Sequence, residues 1–274
     1  TDNLRSGLNT VENLIIPKRL VLFAGTVNAM ADYGIVHGMV FPVLMLPAAI
    51  LFSLSSLLIP EFSRCAAGHR QPRVRYLARR SLRTALLYGL AVGSVLFSLA
   101  RPLGELLYHE PDAGTYLRLY APLVPLLYTD IVTDAICKGL GHQDANARYN
   151  LLTSFLDVAF LWYLLPRLGL GGYFLSFAVT HLVNFLLSFR RLVLVPGIRM
   201  DLSPVLRAAV CTVAAALGAE LLPQGSGALG LVLSGSCCLL LLLFLWTLLR
   251  VIGPEDFLWL RTIFRQKPAP HPHR

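Results

Sequence analysis

Long apolar stretches separated by short polar segments dominate the chain. We mark eight of them, each near the roughly 17–25 residues that a helix needs to cross a bilayer. They are Leu4–Ala24, Ile35–Ile59, Thr84–Leu107, Tyr116–Lys138, Leu151–Leu168, Tyr173–Phe189, Val205–Leu222 and Leu229–Val251. The eighth includes Cys237–Trp246, which carries no charge, whereas the first carries Arg5, Glu12, Lys18 and Arg19. This pattern predicts an all-α polytopic membrane protein with about eight transmembrane helices.

The composition supports a bilayer as the solvent. Hydrophobic residues make up 55% of the 274 residues and charged residues only 14%, against about 25% charged residues in a soluble domain. In water such a chain would expose large apolar patches. The five cysteines form no C-x-x-C pair, so we interpret them as reduced thiols packed like small hydrophobic side chains and expect no metal site.

The positive charge is concentrated between particular apolar stretches. The net charge is +9, and the segment Phe62–Arg83 alone holds seven arginines. Placing that segment in the cytoplasm puts 18 of the 24 Lys and Arg residues on the same side, as the positive-inside rule expects. Both chain ends are then predicted to be cytoplasmic. The segment contains no aromatic residue beyond Phe62 and Tyr76, which argues against a nucleic-acid partner.

Four parts of the chain follow from this division. Residues 1–59 contain the first two spans, and residues 60–83 form a basic amphipathic segment predicted to lie on the membrane surface. Anionic headgroups attract such a segment by about 1 kcal/mol per basic side chain near the surface. Residues 84–251 form a six-helix membrane bundle, and residues 252–274 form a cytoplasmic tail.

A polar stripe runs along the first span. Arg5, Asn9, Glu12 and Asn13 are spaced to share one helical face. Because a charge at the bilayer centre costs about 2.5–3.5 kcal/mol on insertion scales, this face must avoid lipid. It is interpreted either as the wall of a hydrophilic cavity that handles an anionic headgroup, with His37 of the second span turned toward it, or as a polar seam between packed helices.

A second group of charged residues lies in the fourth and fifth spans. Asp130, Asp134 and Lys138 follow one another at four-residue spacing, which favours an Asp134–Lys138 pair on one helix. Asp157 lies one turn beyond Thr153. These carboxylates are interpreted either as ligands of a coupling ion, Na⁺ or H⁺, or as anchors at the cytoplasmic ends of helices. We expect no other cofactor.

An enzymatic role is the weaker alternative. Asp130 and Asp134 are spaced like the metal-binding carboxylates of phospholipid-headgroup transferases, but the Asp-Gly-x-x-Ala-Arg element of those enzymes is absent. The sequence also contains no zinc-protease, serine-hydrolase or P-loop motif. We therefore expect no catalytic residues, while a metal-dependent headgroup transferase stays as an alternative.

Short motifs in order between Leu4 and Arg191 resemble those of one transporter family. They are Leu4–Pro17, Tyr33-Gly34, Gly38–Pro42, Leu57–Ser63, Ala121–Pro125, Lys138–Gly141 and Asn184–Ser188. They are similar to the stage V sporulation protein B-like polysaccharide exporters, members of the multidrug/oligosaccharidyl-lipid/polysaccharide exporter superfamily. The last two spans match that family only in hydropathy.

The resemblance implies a function and a missing part. Members of this superfamily have two pseudo-symmetric helical bundles around a central cavity and work by alternating access. Eight spans correspond to the later part of such a chain, and the chain begins at Thr1, so we expect a preceding N-terminal bundle. The implied function is a flippase in the cell membrane whose cargo is a lipid-linked glycan, in sporulation or in general envelope synthesis. A cation-coupled multidrug exporter is the alternative. His37 stands where the lipid II flippase branch carries a cavity arginine.

Overall fold

The computed structural model describes residues 2–22, 27–194, 197, 202–220 and 227–251. Within these residues the regular structure is entirely helical. The helices are α1 (Asp2–Leu20), α2 (Val27–Ile35), α3 (Phe41–Met45), α4 (Ala49–Ala67), α5 (Gln71–Ser98), α6 (Ala100–Tyr108), α7 (Pro111–Tyr120), α8 (Val124–Gly139), α9 (Gln143–Leu168), α10 (Leu170–Leu194), α11 (Leu202–Glu220) and α12 (Gly227–Leu248). The tail predicted for residues 252–274 lies outside the described residues.

Seven helical stretches of the described chain are long and apolar enough to cross a membrane. They are Ala29–Ala67, Gln71–Ser98, Pro111–Gly139, Gln143–Leu168, Leu170–Leu194, Ser203–Glu220 and Leu229–Leu248. The predicted all-α polytopic fold is therefore confirmed. The first predicted span forms helix α1, but it is not among the seven because its charged residues lower its hydropathy.

The basic segment differs from the prediction. It is not a separate surface helix: α4 continues to Ala67, a short turn follows, and α5 runs without interruption from Gln71 to Ser98. One face of its first half, formed by Val74, Ala78 and Leu82, is buried in the core. Because this apolar face packs along α8, the arginines on the other face extend a transmembrane helix rather than begin a helix on the membrane surface.

The first qualifying stretch, Ala29–Ala67, is bent at two prolines. A π turn, Val36–Val40, precedes Pro42, and a 3₁₀ turn, Leu46–Ala48, contains Pro47. Proline has no N–H and its ring clashes with the carbonyl one turn earlier, so the helical ladder is interrupted at each. Inside a membrane, carbonyls at such interruptions need other donors.

Three tyrosines from neighbouring helices donate to carbonyls in and beside these turns. The Tyr108 hydroxyl donates to Met39 O at 3.3 Å, the Tyr128 hydroxyl to Leu44 O at 2.7 Å, and the Tyr88 hydroxyl to Pro47 O at 2.9 Å. The rings of Tyr88 and Tyr128 also stack, with centroids 5.8 Å apart. The bent helix is thus held by α5, α6 and α8.

The turns of the bundle define its two ends. Arg19, at the end of α1, lies over Trp162, near the end of α9, so α1 and α9 run in the same direction. We call the end that holds the α4–α5 and α8–α9 turns the basic end. We call the other end, where α6 turns into α7 and α9 into α10, the opposite end. Helices α1, α4, α8, α9 and α10 surround the candidate site between them.

Candidate functional site: a polar cavity inside the bundle

A cavity of about 480 Å³ lies between α1, α4, α8, α9 and α10. Four carboxylates line it: Glu12, Asp130, Asp134 and Asp157. The basic groups on its wall are Lys138 and His181. Acidic groups therefore outnumber the permanently charged Lys138, and the cavity favours cations. The structure joins Glu12 of the polar stripe to the three aspartates, which the sequence had placed in a separate group.

Asp157 is the carboxylate with the most hydroxyl groups around it. It is half-buried, and Ser176 Oγ donates to its Oδ1. Thr180, one turn later on α10, lines the same cavity, and its Oγ1 donates to Ser176 O at 2.8 Å. Thr153, one turn earlier on α9, is buried and lines the same cavity. Carboxylate and hydroxyl oxygens together form a set of hard ligands, which suits a small cation such as Na⁺.

Asp134 is engaged differently. Lys138 Nζ lies 2.6 Å from its Oδ2, so the structure contains the ion pair that the spacing predicted. Asn146 Nδ2 donates to the other carboxylate oxygen, and Ser188 Oγ donates to Asn146 Oδ1 at 2.8 Å. This chain of contacts ties α8, α9 and α10 together near the basic end.

Two polar atoms on the cavity wall indicate that the cavity holds water or an ion. Ser55 Oγ and Asn184 Oδ1 are buried and have no hydrogen-bond partner among the described residues. Both residues line the cavity, and Asn184 Nδ2 meanwhile donates to Asp130 Oδ2 at 3.2 Å. Since buried polar atoms rarely stay unsatisfied, the space between them is large and polar enough for ordered water.

His37 lies away from this cavity. It is exposed on the π turn, its ring stacks on Tyr33 at a centroid distance of 5.8 Å, and it meets Phe41 edge-on at 6.1 Å. It is not among the residues that line the cavity with Glu12, so the two do not share one wall as predicted. The side chains of Arg5, Asn9 and Asn13 lie outside the described residues, and their roles stay predictions.

The sequence reasoning missed the contribution of α10. Ser176, Thr180, Asn184 and Ser188 recur at four-residue spacing and lie on one helical face. Each of them hydrogen-bonds a residue that lines the cavity or braces it. His181, beside this face, is also on the wall. The four-residue spacing of these polar residues could have identified this face, because similar spacing identified the polar stripe of α1.

The described residues contain no group of three or more His, Cys, Asp and Glu side chains placed to hold a metal ion. Asp130 and Asp134, the pair that the transferase alternative needs, are one turn apart on α8. Asp134 is already paired with Lys138. The geometry therefore gives the transferase alternative no additional support.

His142 makes the basic end sensitive to pH. It lies in the α8–α9 turn, where burial and then the positive charge of Arg191 lower its pKa below the usual value. A lowered pKa means that the unfolded chain takes up this proton more readily, so folding stability falls as the pH drops below about 6.5. We expect His142→Gln to reduce this acid loss in thermal unfolding measured near pH 7.5 and pH 5.5. Exposed His69→Gln serves as the control, and an unchanged loss in His142→Gln would contradict the assignment.

Comparisons with known proteins place this architecture. Residues 26–163 match the MatE family, about half of the chain. Stage V sporulation protein B of Bacillus subtilis (strain 168) is 26% identical over 161 residues, which cover 58% of this chain and 31% of that protein. Sporulation protein YkvU of the same organism is 26% identical over 159 residues, covering 57% of this chain and 36% of that protein.

The fold also resembles a solved structure. The lipid II flippase MurJ in an inward closed conformation superimposes with a TM-score of 0.61 at 12% identity, covering 88% of this chain and 52% of that one. The chain thus spans about a third of the length of the curated relatives and about half of the solved structure. The family match, the relatives and the shared fold agree: this chain belongs to the MatE family, within the multidrug/oligosaccharidyl-lipid/polysaccharide exporter superfamily.

Proposed function

We propose that this chain is the later part of a flippase that moves a lipid-linked oligosaccharide or polysaccharide precursor across the cytoplasmic membrane by alternating access. The cavity lined by four carboxylates is the observation on which the proposal chiefly rests. An acidic, hydroxyl-rich cavity inside one half of a transporter suits a coupling cation. At about 480 Å³ it is small for a bulky lipid-linked cargo.

The cargo headgroup is proposed to lie on another face of the bent Ala29–Ala67 helix. On this face His37 is exposed beside Tyr33 and Phe41. A Cβ atom added at Gly34 or Gly38 would meet nothing within 4 Å, so the surface is open there. Aromatic rings and an imidazole can stack on sugar rings and hydrogen-bond to their hydroxyls. The N-terminal bundle of the full-length protein would face this surface.

The coupling ion is proposed to bind at Asp157, with Glu12 and the hydroxyls of Thr153 and Thr180 around it. Asp134, which already has Lys138 as a partner, is proposed as the anchor. The two roles that the sequence left open for the carboxylates are thereby divided between residues. Bound Na⁺ would supply the positive charge that the cavity lacks, and a proton on Asp157 would serve the same purpose.

The membrane orientation is also a proposal. The turn between α4 and α5 and the first half of α5 hold six of the seven arginines of the basic segment, all at the basic end. Under the positive-inside rule this end faces the cytoplasm. The cargo would then be taken up at the basic end and released at the opposite end.

Reconstitution of the full-length protein tests the flippase proposal. Vesicles would carry a fluorescent lipid-linked oligosaccharide in the inner leaflet, and an impermeant glycosidase outside would report its arrival. We expect protein-dependent cleavage that rises with an imposed Na⁺ or proton gradient. The matched arm measures efflux of ethidium, a typical cationic drug. If ethidium moves and the glycolipid does not, the multidrug exporter is the better description and the flippase proposal is wrong.

A further inference from the structure

Three cations lie in the last turns of α1 and α9, at the opposite end of the bundle. Lys18 and Arg19 are in the last turn of α1, and Arg167 is in the last turn of α9. The Arg19 guanidinium carbon is 3.1 Å from the centroid of the Trp162 ring, and that of Arg167 is 3.7 Å from the centroid of the Tyr163 ring. Two guanidinium groups thus lie over adjacent aromatic side chains of one helix.

These cations have no acidic partner in the described part of the chain. Ion pairs elsewhere in the described residues include those of Arg64, Arg73, Arg118 and Lys138. No carboxylate of the described residues pairs with Lys18, Arg19 or Arg167. They also lie at the end where the positive-inside rule makes basic residues least common. An anion from outside the described residues is therefore the natural partner.

The surroundings fit the boundary between lipid headgroups and acyl chains. Trp162 and Tyr163 are each 56% exposed, although tryptophan and tyrosine are large and partly apolar. Val21, Leu22 and Leu168 are exposed beside the same helix ends. Exposed apolar side chains with aromatic rings and basic groups at a helix end are typical of the membrane interface, where long basic side chains reach up to the headgroups.

The contact of each arginine with an aromatic ring favours binding of a phosphate over simple solvation of the arginines by water. A guanidinium held over a ring loses little further freedom when it binds, and its planar fork of N–H donors matches two oxygens of a phosphate. The favourable interaction of cations with a helix C-terminus accounts for residues in the last turn, but it does not account for two stacked arginines on neighbouring rings.

We propose that Lys18, Arg19 and Arg167, on Trp162 and Tyr163, bind the phosphate of an anionic phospholipid in the leaflet at the opposite end of the protein. The lipid would bridge α1 and α9, the helices that carry Glu12 and Asp157 of the cavity. Membrane composition would thereby influence how firmly two walls of the cavity are held together. The binding site is independent of which cargo the protein moves.

Trp162 provides the probe for this site. Full-length protein and a Trp162→Phe variant would be reconstituted in phosphatidylcholine vesicles that contain a brominated lipid, and the difference in their emission isolates the Trp162 signal. Brominated phosphatidylglycerol is compared with brominated phosphatidylcholine at equal mole fraction. We expect phosphatidylglycerol to quench this signal with at least roughly fivefold greater apparent affinity, the factor expected for one basic side chain near anionic lipid.

Charge substitutions give the matched comparison. In the triple variant Lys18→Gln, Arg19→Gln, Arg167→Gln, both brominated lipids are expected to quench Trp162 equally. Arg167→Gln alone should lose part of the preference for phosphatidylglycerol. Arg70→Gln with Arg79→Gln, exposed at the basic end, should keep it fully. A monodisperse peak in size-exclusion chromatography confirms that each variant is folded. Equal quenching by both lipids in the unsubstituted protein, or a preference that survives the triple substitution, would overturn the proposal.

Discussion

Replacing Asp157 with Asn is expected to abolish gradient-driven transport by the full-length protein while leaving its abundance in the membrane nearly unchanged. The amide has the same shape as the carboxylate, and its oxygen can still accept the hydrogen bond from Ser176. What disappears is the negative charge that a bound cation needs. Mutation of a residue that only hydrogen-bonds to a metal ligand typically lowers metal affinity by roughly 10–100-fold. Loss of the charge on the ligand itself should lower the affinity for the cation by at least that much.

The control for this prediction is Asp112→Asn. Asp112 is exposed in the first turn of α7, at the opposite end and away from the cavity. Initial rates of glycolipid translocation would be measured at several Na⁺ concentrations and several pH values. Asp112→Asn should match the unsubstituted protein under all of them. Full activity of Asp157→Asn at every ion concentration would remove this residue from ion coupling, whereas passive flipping without any gradient dependence would locate the loss in coupling alone.

The sequence predicted the helices well because hydropathy reports directly on the solvent around a segment. Ala29–Ala67 carries charges only at Asp32, Glu61 and Arg64, and Leu229–Leu248 carries none. Pro42 and Pro47 mark the bends of the first of these. They could not predict that one bend is a π turn and the other a 3₁₀ turn, because the carbonyls of those turns accept hydrogen bonds from Tyr108 and Tyr88, which lie on helices far away in sequence.

The prediction for the basic segment was wrong for a related reason. Its arginines follow an amphipathic pattern that a surface helix and the end of a transmembrane helix share. Burial of Val74, Ala78 and Leu82 decides between the two, and it depends on α8, which packs along α5. A helical pattern tells which face avoids water, but it does not tell whether lipid or protein covers that face.

The candidate site was predicted in pieces. Polar residues at helical spacing identified Glu12, Asp130, Asp134 and Asp157, and all four line one cavity. Their grouping needed the packing of α1 against α9 and of α9 against α10, which no local pattern encodes. His37 was placed with Glu12 because both lie in charged or polar positions of neighbouring spans, yet the bent helix turns His37 to a different face.

Gly139→Ala is expected to destabilise the bundle by roughly 2–4 kcal/mol, although it adds only one methyl group. Gly139 ends α8 where α8 crosses α4. A Cβ atom there would lie 2.8 Å from Ile59 O and 2.6 Å from Phe62 Cβ. The first of these atoms is backbone, and Phe62 is completely buried, so neither can move aside cheaply. The two helices would have to separate.

Separation of α4 and α8 would also break a polar contact and open the cavity wall. Ser63 Oγ donates to Gly139 O at 2.9 Å, and such a bond contributes about 0.5–1.5 kcal/mol. Ile59 and Lys138, on either side of this crossing, both line the cavity. Thermal unfolding in detergent and membrane abundance would measure the effect. Ser63→Ala should reproduce only the hydrogen-bond part of the loss.

The matched control is Gly34→Ala, because a Cβ atom at Gly34 in α2 meets nothing within 4 Å. Alanine is favoured over glycine in a helix by about 1 kcal/mol, so this variant should be as stable as the unsubstituted protein or slightly more stable. The same Gly→Ala substitution is then expected to lower stability at one position and to keep or raise it at the other. The close approach of α4 to α8 at Gly139 is the reason for the difference. If Gly139→Ala unfolds at the same temperature as Gly34→Ala, α4 and α8 do not approach as closely as the structure places them, and the cavity wall formed by Ile59 and Lys138 must be wider.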